Sequence, residues 1–184
     1  MKEEQKTLVI RFMAGVNQQS INNLIGNIES RLGSFEKIRL LLSSPGGEVF
    51  WGISAYNFLR GIGKEIETFN FGSVDSIASV IYCAGSERLC VPNARFLIHS
   101  LIFMGSGNFS FEEKQLKERL KSLEIDRENI AKIIAANCKK EQNEIEKAML
   151  EGTTFNPQQA KDFGLVHKID ENLLPGSYEL VGIG

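Results

Sequence analysis

The stretch Pro92-Asn93-Ala94-Arg95-Phe96-Leu97-Ile98-His99 leaves a turn, runs as a short apolar strand and stops on a histidine. Its Pro-Asn pair separates two short strands, expected over Arg88 to Val91 and Arg95 to Ser100. Upstream, a helix is expected from Ser76 to Ala84, behind a strand over about Glu65 to Phe71. The same order recurs nearer the start. Thr7 to Met13 is a β-branched apolar run, and Asn17 to Leu32 sets Ile21, Leu24, Ile25, Ile28 and Leu32 on one helical face. Lys37 to Leu42 is a second strand, ended by Ser43-Ser44-Pro45-Gly46-Gly47, and Val49 to Leu59 is again helical. Strand and helix alternate three times, the pattern of an α/β domain with a largely parallel sheet.

Beyond His99 the character changes. Ser110 and Glu113 form a capping box at the head of a long helix, about Phe111 to Asn137. Leu116, Leu120, Leu123, Ile130 and Ile134 make a narrow stripe close to a coiled-coil seam, which suits a partner helix more than a core. Asn143 and Glu146 are expected to cap a shorter helix ending near Leu150. Asn156-Pro157-Gln158-Gln159 starts another, Gly164 stops it, and Leu165 to Ile169 reads as a final strand. The tail after Asp170 reads as loosely ordered. No repeat or low-complexity linker breaks the chain, so residues 1–184 read as one domain.

At 184 residues with 24% charged, the chain can bury a sizeable core. A net charge of -2, with basic and acidic residues interspersed, argues against nucleic acid as a partner. No run approaches the roughly 18 apolar residues of a membrane span. Met1-Lys2-Glu3-Glu4-Gln5-Lys6 has no signal-like apolar stretch behind it. Cys83, Cys90 and Cys138 are odd in number and lack metal-like spacing, so they read as reduced thiols of a cytoplasmic protein. Neither a cofactor nor a metal is expected.

Three segments carry groups that acyl-transfer chemistry needs. Ser76 follows a strand through a Gly-Ser-Val-Asp turn and begins an apolar helix, where a hydroxyl is lifted into the open or serves simply as an N-cap. The paired glycines Gly46 and Gly47 can leave a backbone N–H unshielded, as an oxyanion site needs and as any tight turn also does. His99 is one of only two histidines and closes its strand as a candidate base or as a satisfied structural residue; His167 has a similar apolar setting and reads as structural. Lys64, before the strand leading to Ser76, reads as a solvated loop residue rather than half of a Ser-Lys pair.

In order and content these segments resemble the Clp-type serine peptidases. The matching residues are Ser44-Pro45-Gly46-Gly47, the Gly72-x-x-x-Ser76 elbow, Ala84-Gly85, Cys90 through His99, and Phe155 through Val166. The resemblance covers about Thr7 to Ile169. It implies a ClpP/crotonase-like spiral of ββα units with a protruding long-helix handle: a head over about 7–100, the handle over about 101–140, and a C-terminal part of the head over about 141–170. It further implies Ser76 as nucleophile, His99 as general base, and the Gly47 and Ile77 N–H groups as oxyanion hole. Residues around Leu101 to Phe111 would line a channel for peptide or unfolded protein, inside a homo-oligomeric ring or double ring.

The chain departs from the family pattern in three places. The expected catalytic aspartate, two residues before the aromatic matched by Phe155, is Thr153, which leaves Thr153, Glu151 or no side chain as the third member. Asp75 precedes Ser76 where the family has a small apolar residue; it reads as a turn carboxylate or as a charge acting on His99 or on substrate. About six residues precede the first strand, which makes an ATPase partner an open question. Two other functions fit the residues: a non-catalytic or weakly active Clp-like assembly subunit, and a crotonase-fold acyl-CoA enzyme using Asp75.

Overall fold

The alternating apolar runs pair as one sheet, and its order determines where the chemistry-bearing loops meet. A computed structural model describes residues 6–102 and 112–184. The strands are β1 (Thr7–Phe12), β2 (Lys37–Ser44), β3 (Glu65–Asp75), β4 (Glu87–Cys90), β5 (Arg95–Ile98), β6 (Thr153–Phe155), β7 (Lys168–Ile169) and β8 (Tyr178–Ile183). The helices are α1 (Gln18–Glu29), α2 (Val49–Gly61), α3 (Ala78–Tyr82), α4 (Glu113–Cys138), α5 (Gln142–Glu151) and α6 (Pro157–Phe163). The sheet runs β6-β5-β3-β2-β1-β8, with β4 beside β3 and β7 beside β4. The β5–β6 pair is antiparallel and the others are parallel.

The long strand β3 is a fork. Its Glu67–Asn70 stretch pairs with β4, and Ser73–Asp75 pairs with β5. A fully buried asparagine holds the branch: Asn70 Nδ2 donates to the Arg95 carbonyl at 2.8 Å, and Asn70 Oδ1 accepts the Gly72 N–H at 3.0 Å. β3 therefore runs four residues past the expected Phe71 and carries Asp75 and Ser76 to the end of β5.

One sheet face packs under α1, α2 and α3 and the last turns of α4, through Phe12, Leu24, Leu42, Tyr82, Phe96 and Ile134. Val9, Leu41, Phe69 and Leu89 are buried on the other face, with Leu173 against them. Beside them Glu67, almost wholly buried, holds Lys37 Nζ at 2.8 Å and Arg39, while Arg39 Nη1 donates to the Asn172 and Leu173 carbonyls. The three cysteines are free and buried, and burial pushes the Cys90 and Cys138 thiols up to about 11.

Several expectations are corrected. The tail is not loose: β8 lies parallel to β1, pairing Thr7 with Tyr178 through Phe12 with Ile183, because β1 offers it a complete unpaired edge. The final strand shortens to Lys168–Ile169, since the Leu165 and Val166 N–H groups both donate to the Ala160 carbonyl as the α6 terminus. Ser110 of the expected capping box lies outside the described residues. α4 instead begins with Glu112, whose N–H donates to Gln115 at 3.1 Å. At α5 the box is Glu141 with Glu144, not Asn143 with Glu146, because Glu144 both reaches back to the Glu141 N–H and pairs with Lys140. The α4 stripe divides: Leu116 and Leu120 are exposed, whereas Ile130 and Ile134 belong to the core.

Arg88 is a buried cation without a carboxylate partner among the described residues. Its guanidinium donates to the carbonyls of Leu165 (2.8 Å), Asn137 (2.8 Å), Gly164 (3.2 Å) and Gly85 (3.3 Å). Those carbonyls lie where α3, α4 and α6 end, so the negative poles of three helices converge on one positive charge. His167 sits against the same residue, its Nδ1 accepting the Arg88 N–H at 3.2 Å. Burial, then the Arg88 charge, lowers the His167 pKa. A lowered folded pKa means the unfolded chain takes up the proton first, so this contribution is present above the ordinary value near 6.5 and is lost as pH falls through the folded value. The thermal midpoint is expected to fall between pH 7 and pH 5 less steeply in His167→Gln than in the wild type; parallel curves would remove His167 from that slope.

Candidate active site

Ser76 lies at the junction of β3 and α3 with φ of +58°, a left-handed conformation that a residue with a Cβ adopts at a cost of about 1–2 kcal/mol. Its N–H donates to the Leu97 carbonyl at 2.7 Å, and its own carbonyl accepts from the Ser79 N–H and Oγ. α3 begins at Ala78 with Ile77 at its cap, and no side chain caps it. The N-cap reading of Ser76 is therefore not what the structure shows. Its hydroxyl makes no hydrogen bond among the described residues and is available.

The glycine turn closes on that elbow. Gly46 has φ of +85°, and a Cβ there would stand 2.7 Å from both Ser76 Cβ and the Asp75 carbonyl and 3.3 Å from the Ile77 nitrogen. Only glycine allows this approach. The adjoining Gly47 pairs with Val16 in a parallel bridge made by Val16 N–H to Gly46 O and Glu48 N–H to Val16 O, both 2.8 Å. The Gly47 N–H takes no part in that bridge. The glycine turn and the Ile77 end of the elbow thus approach each other through Gly46, from different segments.

His99 follows β5, directly beside the β3 end that carries Ser76. No hydrogen bond joins its ring to Ser76 among the described residues, as is common before substrate tightens a site. Its Nδ1 lies 2.6 Å from the Ser100 carbonyl oxygen. A carbonyl only accepts, so Nδ1 carries a proton, and in the neutral ring Nε2 keeps the lone pair that a general base needs.

Among the described residues no hydrogen bond joins either candidate third member to the ring. The β5–β6 register places Thr153 opposite Ile98, and its hydroxyl donates to the Ala148 carbonyl at 2.9 Å. Glu151 is largely exposed, 3.9 Å from Lys147. A backbone carbonyl therefore occupies the position of an orienting acid. Asp75 is committed as well: its carboxylate accepts from Ser73 Oγ at 2.7 Å and from Arg95 Nη2 at 2.5 Å. The turn-carboxylate reading of Asp75 holds, enlarged to an ion pair joining the strands that carry Ser76 and His99. Lys64 donates to the Phe35 carbonyl, remote from the elbow. Among the described residues no group of His, Cys, Asp or Glu side chains could hold a metal.

The Clp protease family model matches residues 4–172. The chain belongs to the Clp protease family. Among curated Clp relatives, the ATP-dependent Clp protease proteolytic subunit of Bdellovibrio bacteriovorus is 28% identical over 137 residues, 73% of this chain and 64% of the relative. Subunit 3 of Rhizobium johnstonii is 33% identical over 138 residues, 74% of this chain and 69% of the relative. The chloroplastic subunit 3 of Arabidopsis thaliana is 25% identical over 149 residues, 80% of this chain and 47% of the relative. The chain thus spans about half to two thirds of the curated Clp relatives it matches, and β8 lies beyond the segment the Clp model covers. The family match favours neither the acyl-CoA reading nor a purely structural subunit. No helix among the described residues is long and apolar enough to cross a membrane.

Sequence reasoning missed Asn70, the Arg95–Asp75 pair and the Ser100 carbonyl. A lone asparagine inside Thr68-Phe69-Asn70-Phe71 is a readable signal, because a polar side chain in a buried strand needs partners. A backbone carbonyl leaves no trace in residue identity. The expected channel residues 103–111 lie outside the described residues.

Proposed function

We propose that this chain is a serine endopeptidase that cleaves peptides or unfolded protein through a Ser76–His99 dyad. The observation that carries the proposal is the left-handed Ser76 elbow, free at its hydroxyl, with the Gly46-Gly47 turn packed on it and His99 at the adjoining strand end. His99 Nε2 takes the Ser76 proton during attack and returns it to the leaving amine, while the Gly47 and Ile77 N–H groups stabilise the oxyanion. The Ser100 carbonyl orients the ring without the full negative charge that stabilises an imidazolium. In Ser-His-Asp enzymes, neutralising the acid costs roughly 10⁴ in kcat, so turnover here is expected to be slow.

The setting proposed with it is a cytoplasmic homo-oligomeric ring, in which the exposed Leu116 of α4 meets a second copy. The relatives' names carry ATP dependence, and an ATPase partner for this chain is the corresponding proposal. A fluorophosphonate probe tests the site: wild type is expected to be labelled and Ser76→Ala not, with peptide hydrolysis lost alongside. Labelling that survives Ser76→Ala, or a wild type that neither labels nor cleaves, would leave the assembly-subunit reading instead.

A further inference from the structure

The residue whose carbonyl holds His99 also opens onto a cavity of about 260 Å³ between the end of β5, the middle of α4 and the end of α5. Leu101, Leu120, Leu123 and Leu150 make its apolar wall, with Ser100 and Arg127 as polar groups. Arg127 differs from three of the lysines on its helix. Lys114 pairs with Glu118, Lys117 with Glu113 and Lys132 with Glu128, each one turn away. Arg127 joins no ion pair among the described residues, and its Nε is buried without an acceptor. Glu124 lies at the same cavity but is exposed, with its charge screened by water.

A guanidinium with a desolvated, unmatched donor is costly, and a planar carboxylate is the acceptor that matches its fork. We propose that this cavity is a subsite for an acidic side chain, with Arg127 as the specificity-determining residue, so that Asp or Glu near the scissile bond is preferred. The proposal rests on the peptidase reading for its role, but its central claim is one of binding.

The test uses the full chain carrying Ser76→Ala, so that binding is read without turnover. Fluorescein-labelled Gly/Ala host peptides carry a single central Glu, Leu or Lys, and affinity is followed by anisotropy. The Glu peptide is expected to bind about tenfold more tightly than the Leu peptide. Arg127→Leu should abolish that preference, Arg127→Lys should keep part of it, and Arg127→Glu should turn it toward the Lys peptide. Equal binding of the Glu and Leu peptides, or binding of neither, overturns the proposal. So does an Arg127→Leu variant that changes oligomeric state and leaves the preference intact, since Arg127 would then be a contact between copies. Fluorophosphonate labelling of the otherwise wild-type chain separates the two readings. Labelling without discrimination removes the subsite alone, and discrimination without labelling removes the peptidase alone.

Discussion

Gly47→Ala is expected to lower kcat for peptide cleavage by about 10²–10³, the usual cost of a lost oxyanion donor. A Cβ at this position would overlap the Val16 carbonyl oxygen and stand 3.0 Å from the Val16 nitrogen and carbonyl carbon. Both sides of that clash are backbone, so no rotamer change relieves it. The φ of +150° is also one that side chains rarely adopt. The Val16–Gly47 bridge must open, which displaces the Gly47 N–H from its position in the proposed oxyanion hole. Strain of this kind costs about 1–3 kcal/mol of stability, so rates need to be compared well below both melting points. Gly15→Ala is the control, because an added Cβ there meets nothing nearer than 3.7 Å. A Gly47→Ala enzyme with wild-type kcat would show that this N–H does not bind the oxyanion.

The second large effect is on stability. Arg88→Met is expected to cost on the order of 4 kcal/mol in urea unfolding, about 1 kcal/mol for each of the four carbonyls left without their donor. Methionine fills much of the stem's volume but donates nothing. Arg88→Lys keeps the charge and loses the planar fork, so it should fall between the two. A loss under about 1 kcal/mol for Arg88→Met would mean that water satisfies the carbonyls and that the three helix ends need no shared cation.

The head of the fold was legible because its signals are local. β1, β2, α2 and β5 begin at the residues that alternation and turn chemistry indicate, and Asn156-Pro157-Gln158-Gln159 caps α6 as written. Ser76 and His99 fall at the adjoining ends of β3 and β5, and Gly46 of the glycine turn packs on Ser76. What could not be read is what depends on register or on distant backbone. Thr153 was chosen by its spacing from Phe155, whereas the antiparallel pairing turns it toward Ile98. The four acceptors of Arg88 come from three parts of the chain and involve no side-chain chemistry. β8 was read as tail because Gly182 and two charge-neutral exposed positions weaken a pattern that only the edge of β1 completes.

That last strand has a consequence for the order of folding. Residues 170–177 lead from β7, beyond β4, across the second sheet face to β8, the partner of β1. In chain order, the earliest strand of this sheet therefore pairs on that side with the latest. Before β8 is in place, β1 presents an open parallel edge, while β2 and β3 can already assemble against its other side. Closing that edge waits for β8, and until then the chain carries its own template for unwanted strand addition.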